Sequence, residues 1–204
     1  MNFLAHAHLS GDNDDILFGN FIADAVKGKS YNGFEREVQA GILLHRKIDS
    51  YTDSHPVFKK TLERVRNDFG KYSGVAVDIY YDHFLAKDWG QYHEIELKKF
   101  TRHVYSVLRK NYAILPQRTK RLLPFLITQN WLYGYSRLND LERVFYGMDR
   151  RTKLRSGMSR AVEILELHYN SLQKDIEDIY PEMIAFAENT RQELIASKTS
   201  LSSR

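Results

Sequence analysis

Val75-Ala76-Val77-Asp78-Ile79-Tyr80-Tyr81-Asp82-His83-Phe84-Leu85-Ala86-Lys87-Asp88-Trp89 decides the fold. The stretch has no glycine or proline, and its apolar residues fall on nearly every side of a helical wheel. Such a helix is stable only when other helices surround it. Yet it carries Asp78 and Asp82 one turn apart, with His83 adjacent. Two buried carboxylates at that spacing repel each other and lose their hydration, and no Lys or Arg precedes Lys87. Protonation, an arginine from elsewhere or a metal ion would each resolve the conflict.

Outward from this helix the apolar spacing stays helical, and four prolines leave it mostly unbroken. The pattern predicts helices from the capping run Asp12-Asn13-Asp14 to near Gly28, over Phe34–Tyr51, and over Val57–Phe69 with a stop at Gly70. A further helix over Tyr92–Tyr112 turns Ile95, Phe100, Val104, Val107 and Leu108 to the core. Thr119–Leu138 follows with a kink at Pro124, then a short segment Asp140–Tyr146, then Ser159–Gln173 and Lys174–Ala196 interrupted by Pro181. The expected fold is all-α: one domain of about eight to nine helices over residues 1–196, with a disordered tail at 197–204.

The chain has 204 residues, enough for a core without covalent staples, and 43% of them are hydrophobic. Cysteine is absent, which excludes disulfides, zinc–thiolate sites and iron–sulfur clusters. Any metal must sit on His, Asp, Glu or Asn, a donor set suited to Mg²⁺, Mn²⁺, Fe²⁺ or Zn²⁺. The polar N-terminus and the lack of a long apolar run predict a cytoplasmic protein with no membrane partner. The net charge of +4 favours an acidic partner, although a merely solvated basic surface accounts for it equally well.

Three helices place polar groups on otherwise apolar faces. Asn20 and Asp24 share a face with Leu17 and Phe21. His45 and Asp49 share one with Val38, Gly41, Ile42 and Ile48, and Asp53 continues the row. Asp78, Asp82 and His83 are the third case. His6 and His8 would point to one side in an extended chain and diverge in a helix. A single histidine or aspartate of this kind is usually a hydrogen-bonded core residue or a capped carboxylate. Convergence of so many before residue 90 predicts a shared metal site. The second half offers fewer cases, chiefly His168 and Asp175.

Residues 18–28, Phe-Gly-Asn-Phe-Ile-Ala-Asp-Ala-Val-Lys-Gly, are similar to the signature helix of the HD phosphohydrolases, with Ala23 standing where that superfamily has histidine and Asp24 matching its aspartate. This pattern resembles the acyl carrier protein phosphodiesterase family. So do Met1-Asn2-Phe3-Leu4-Ala5-His6-Ala7-His8-Leu9, Gly19-Asn20, Ala40-Gly41-Ile42 with His45-Arg46 and Ile48-Asp49, Thr52-Asp53, Asp78 with Asp82-His83-Phe84-Leu85, and Gln129-Asn130-Trp131-Leu132. The resemblance implies an HD-like helical bundle that removes 4′-phosphopantetheine from the serine of holo-acyl carrier protein with Mn²⁺. Carried over by position, the metal candidates are His6, Asp24, His45 and Asp82. Asp49, Asp78 and His83 become catalytic candidates, with His83 the first choice and Asp49 the second as general acid, and Asp78 as a group that orients a ligand histidine. His8, Asn20 and Asp53 are further site candidates.

The implied substrate protein is acidic. Arg46 and Lys47, beside His45, and the run Arg150, Arg151, Lys153, Arg155 and Arg160 are candidate docking residues. Trp131, Tyr133 and Tyr135 either line a groove for the pantetheine arm or belong to the core. The residues also allow two rival functions: an HD-like hydrolase of nucleotides or other small phosphoesters, and a non-enzymatic basic binding module. No helix-turn-helix, RNA-recognition or zinc-finger pattern supports nucleic-acid binding.

Overall fold

The computed structural model describes residues 2–199. Among them there are helices and turns but no strands, and eight helices have nine residues or more. The all-α expectation therefore holds. The elements are α1 (Phe3–His8), α2 (Asp14–Ile22), α3 (Arg36–Ser54), α4 (Pro56–Phe69), α5 (Ser73–Lys87), α6 (Leu97–Lys110), α7 (Gln117–Thr128), α8 (Trp131–Gly134), α9 (Leu138–Arg151), α10 (Ala161–Leu167) and α11 (Tyr169–Thr199). No described helix is long and apolar enough to cross a membrane.

Helix α5 lies at the centre. Val77, Ile79, Tyr80, Tyr81, Phe84 and Leu85 are all buried, and α1, α4 and α11 pack around them. The closest pairing is between α2 and α3, and two glycines make it possible. A Cβ on Gly19 would stand 2.1 Å from the Val38 carbonyl oxygen, and one on Gly41 would stand 2.1 Å from that of Ile16. Backbone therefore meets backbone at this crossing, and Asn20 on α2 comes against His45 on α3.

Several boundaries differ from the sequence expectation. Residues 3–8 form a helix, the second of the two conformations the sequence left open. Helix α2 starts where expected, because the Asn13 side chain accepts from the Asp15 and Ile16 N–H groups, but it ends at Ile22 and passes into a 3₁₀ turn over Ala23–Ala25. Helix α6 begins only at Leu97, so Ile95 lies outside it and is exposed, contrary to the core assignment. Its other four expected core residues are buried. Helix α7 continues through Pro124, and the break falls at Asn130, which adopts a left-handed conformation at φ 47°. Helix α11 runs through Pro181 and on to Thr199. The expected tail thus begins within a helix, and residues 200–204 lie outside those described.

Candidate metal centre

The α2–α3 crossing and the short α1 bring four side chains together. His6 Nε2 is 3.1 Å from Asp49 Oδ1, and His45 Nε2 is 3.1 Å from Asp49 Oδ2 and 3.4 Å from Asp24 Oδ1. The two imidazoles stack with centroids 3.9 Å apart. His6, His45 and Asp49 offer donor atoms that all lie within 4.8 Å of one another. The histidines are buried, whereas the Asp49 and Asp24 side chains are 40% and 69% exposed, so the cluster opens to solvent on its carboxylate side.

The hydrogen-bond network fixes the tautomer of His45. The Asn20 amide nitrogen is 3.0 Å from the His6 carbonyl oxygen, which can only accept, and 3.0 Å from Ser10 Oγ. Its amide oxygen therefore faces His45 Nδ1 at 3.0 Å, and Nδ1 must carry a proton to donate. Neutral His45 would then aim its Nε2 lone pair between two carboxylates. That arrangement requires a cation, either a second proton on the ring or a metal ion beside it.

The titration behaviour has the same origin. Burial lowers the His45 pKa, but Asp24 and Asp49 together outweigh it and raise it to about 9. Burial pushes the Asp49 carboxyl up, and hydrogen bonds from His45 and His6 overcome that and hold it well below the usual carboxylate range. Asp24 is lowered, chiefly by its hydrogen bond with His45. Burial and the neighbouring His45 take His6 down to about 4, so that ring is neutral. Its Nε2 faces the Asp49 carboxylate and carries the ring proton, and its Nδ1 has no hydrogen-bond partner. No lysine or arginine pairs with Asp24 or Asp49 among the described residues, in contrast to Asp175, which is matched by Arg64 and Thr61.

Asp82, expected as a ligand, is placed elsewhere. Its carboxylate accepts from the Leu4 N–H at 2.8 Å and the Ala5 N–H at 3.1 Å, which caps α1 from the centre of the bundle. Complete burial raises its pKa to about 7, against the pull of those two N–H groups. The cap sets where α1 begins, and His6 is one turn further on. His83 lies a third of a helical turn away from Asp82, between the Tyr135 carbonyl oxygen at 2.7 Å and the Tyr169 hydroxyl at 3.1 Å, and it does not join the cluster. Asp78 is raised by burial and responds to the charges of Asp49 and Asp53, and Asp53 itself is exposed.

Because α1 is helical, His8 diverges from His6. It packs among Trp89, His93, Phe100 and Tyr180, with Nδ1 2.8 Å from the Tyr180 hydroxyl and Nε2 3.2 Å from the Tyr92 carbonyl oxygen. Arg46 bonds back to the Val26 carbonyl oxygen and lies over Tyr31, while Lys47 is exposed. In the basic run, Arg150, Lys153 and Arg155 are exposed, Arg160 pairs with Glu163, and Arg151 lines a surface groove. Tyr135 belongs to the core, Tyr133 is half-buried against Arg137, and Trp131 lines the same groove. Sequence reasoning missed the Asp82 cap, which gives no local signal. It also missed four groove arginines (118, 121, 137 and 143), of which Arg118 and Arg121 show a visible i, i+3 spacing on α7.

The molecule is thus an all-helical protein with a cluster of two buried histidines and one half-buried aspartate able to hold a cation. Comparison with known proteins places it more closely. The family model for acyl carrier protein phosphodiesterase matches residues 1–183, and the chain belongs to that family. Among curated relatives of that name, the Photorhabdus laumondii protein is 34% identical over 93% of this chain and 96% of its own length. The Enterobacter sp. protein is 33% identical over 93% and 98%, and the Escherichia coli O6:H1 protein 32% identical over 90% and 96%. No solved structure matches the chain.

Proposed function

We propose that His6, His45 and Asp49, with Asp24 at the mouth, bind one divalent ion, Mn²⁺ before Mg²⁺, Fe²⁺ or Zn²⁺. We further propose that the protein hydrolyses the phosphodiester joining 4′-phosphopantetheine to the serine of an acyl carrier protein. The products are apo-carrier and 4′-phosphopantetheine, and we assign the enzyme to lipid metabolism in the cytoplasm. The supporting observation is the His45 Nε2 held between two carboxylates by a tautomer that Asn20 dictates.

The donor set fits such an ion. It offers two imidazole nitrogens and a carboxylate, with a proton on the far nitrogen of His45 held by Asn20, the usual arrangement behind a ligand histidine. A bound divalent ion supplies neutralisation of phosphoryl charge and activation of water. Asp49 is held as an anion by two imidazoles, which suits it to be a ligand and not the proton donor the sequence suggested. Asp24, exposed and also anionic, borders the open side, where substrate must arrive. Asp82 serves by positioning α1, and His83 by packing α5 against the Tyr135 and Tyr169 segments.

Purified protein incubated with Mn²⁺ and holo-carrier should convert the carrier to the apo mass, with 4′-phosphopantetheine released. An unchanged carrier mass alongside hydrolysis of members of a nucleotide panel would transfer the assignment to small phosphoesters.

A further inference from the structure

A groove of about 1180 Å³ lies between α7, α8 and α9, apart from the histidine cluster. Five arginines line it: Arg118 and Arg121 from α7, Arg137 from the turn before α9, and Arg143 and Arg151 from α9. One acid, Asp140, stands among them, and it is already engaged by Arg137 at 2.7 Å and Arg143 at 3.3 Å. Arg118 and Arg121 are exposed and take part in none of the described ion pairs. So much like charge around one concavity costs self-repulsion unless an anionic partner enters.

The groove is not purely electrostatic. Leu122, Val144 and Trp131 give it an apolar lining, and Phe125, 55% exposed, stands at its side. An apolar floor with a cationic rim suits an amphipathic helix whose polar face is acidic. A helix with its side chains is roughly 10–12 Å across and rises about 5.4 Å per turn, so a volume of about 1180 Å³ is on the order of two turns of helix. The groove is also tied to the cluster. The segment after α8 carries Tyr135, whose hydroxyl accepts from the Asn2 side chain at 3.2 Å, and Asn2 begins the segment that delivers His6.

We infer that this groove is the docking site for an acidic helix of the carrier substrate, in place of the Arg46–Lys47 pair. The inference rests on the carrier-phosphodiesterase reading and specifies where the protein partner binds. Docking there makes affinity fall as salt rises.

The test measures binding of fluorescently labelled apo-carrier and turnover of holo-carrier by three proteins. These are the Mn²⁺-loaded wild type, R118E/R121E, and K59E/K60E, which carries the same charge change on exposed residues of α4. R143E, from the opposite wall, is the second groove variant in case the first does not fold. The expected result is a Kd raised at least about tenfold and a matching rise in KM for the groove variants, with K59E/K60E close to wild type. If wild type hydrolyses holo-carrier but groove and α4 variants bind alike, the docking site is wrong and the enzyme assignment stands. If wild type neither binds nor hydrolyses the carrier, both fall together.

Discussion

Asn20 Oδ1 lies 3.0 Å from His45 Nδ1, and this contact decides what the opposite nitrogen of the ring can do. With Nδ1 donating, Nε2 faces Asp24 and Asp49 and needs a cation between them. Removing Asn20 therefore frees the tautomer and uncouples His45 from the His6 carbonyl. Asn20→Ala is expected to weaken Mn²⁺ binding about 10- to 100-fold, as when a ligand histidine loses its orienting partner. It should also destabilise the fold by about 1–3 kcal/mol through the polar groups it leaves buried. Calorimetric Mn²⁺ titration with thermal unfolding measures both, and unaltered affinity would remove Asn20 from the account.

The α2–α3 crossing makes that contact possible. A methyl group at Gly41 would meet the Ile16 carbonyl oxygen at 2.1 Å and the Asn20 backbone nitrogen at 2.8 Å. Neither is a flexible side-chain tip, so the helices must separate. Gly41→Ala should cost about 1–3 kcal/mol or more and lower metal affinity with it, although alanine is the better helix former. Urea unfolding would show the loss, and a variant as stable as wild type would mean the crossing is slack.

Asp82 acts on the site through α1. This helix is only six residues long, and both carboxylate oxygens hold its first free N–H groups. Asp82→Ala should destabilise the protein by about 0.5–2 kcal/mol and weaken Mn²⁺ binding, because His6 lies on the released segment. If Asp82 is instead a ligand, the bound ion will show its loss directly. Electron paramagnetic resonance of the Mn²⁺ complex separates the two: a wild-type spectrum at saturating metal fits the cap, and an altered one fits a ligand.

Metal-free protein should lose stability on the alkaline side. The folded pKa of His45 is raised to about 9, above its ordinary value of about 6.5, so its contribution is fully present below the ordinary value and is lost as pH rises through about 9. Asp82, raised to about 7, also favours its protonated form, and its effect is lost as pH rises through about 7, so it adds to the early part of the fall. The Tm of chelated protein should fall between about pH 7 and 9, and His45→Gln should flatten that fall. Mn²⁺ affinity should rise over the same range, because metal and proton compete for Nε2. A Tm that climbs with pH in this window would contradict the assignment of the His45 environment.

Much of this was legible in the residues. The all-round apolar surface of α5 announced a central helix, and the spacing of Asn20 with Asp24 and of His45 with Asp49 marked the two faces that meet. The exchange of roles between Asp49 and Asp82 was not legible. Both are inward-facing aspartates one turn from other polar groups, and only the path of residues 3–8 decides which meets histidines and which meets free N–H groups. That path was ambiguous because Phe3–His8 makes just six residues of helix, too few for periodicity to declare itself. The arginine groove was hidden for a different reason: its walls come from two helices, α7 and α9, with Arg118 and Arg143 25 residues apart in the sequence, and no local pattern reports their approach.

The central claim is that His6, His45 and Asp49 share one ion. Calorimetric titration of chelated protein with Mn²⁺, run in parallel on wild type and Asp49→Ala, addresses it most directly. The account predicts about one ion per chain for wild type and an affinity reduced at least about 100-fold for the variant, since a carboxylate ligand is lost. Equal affinity in the two proteins, or no binding by wild type, would contradict it.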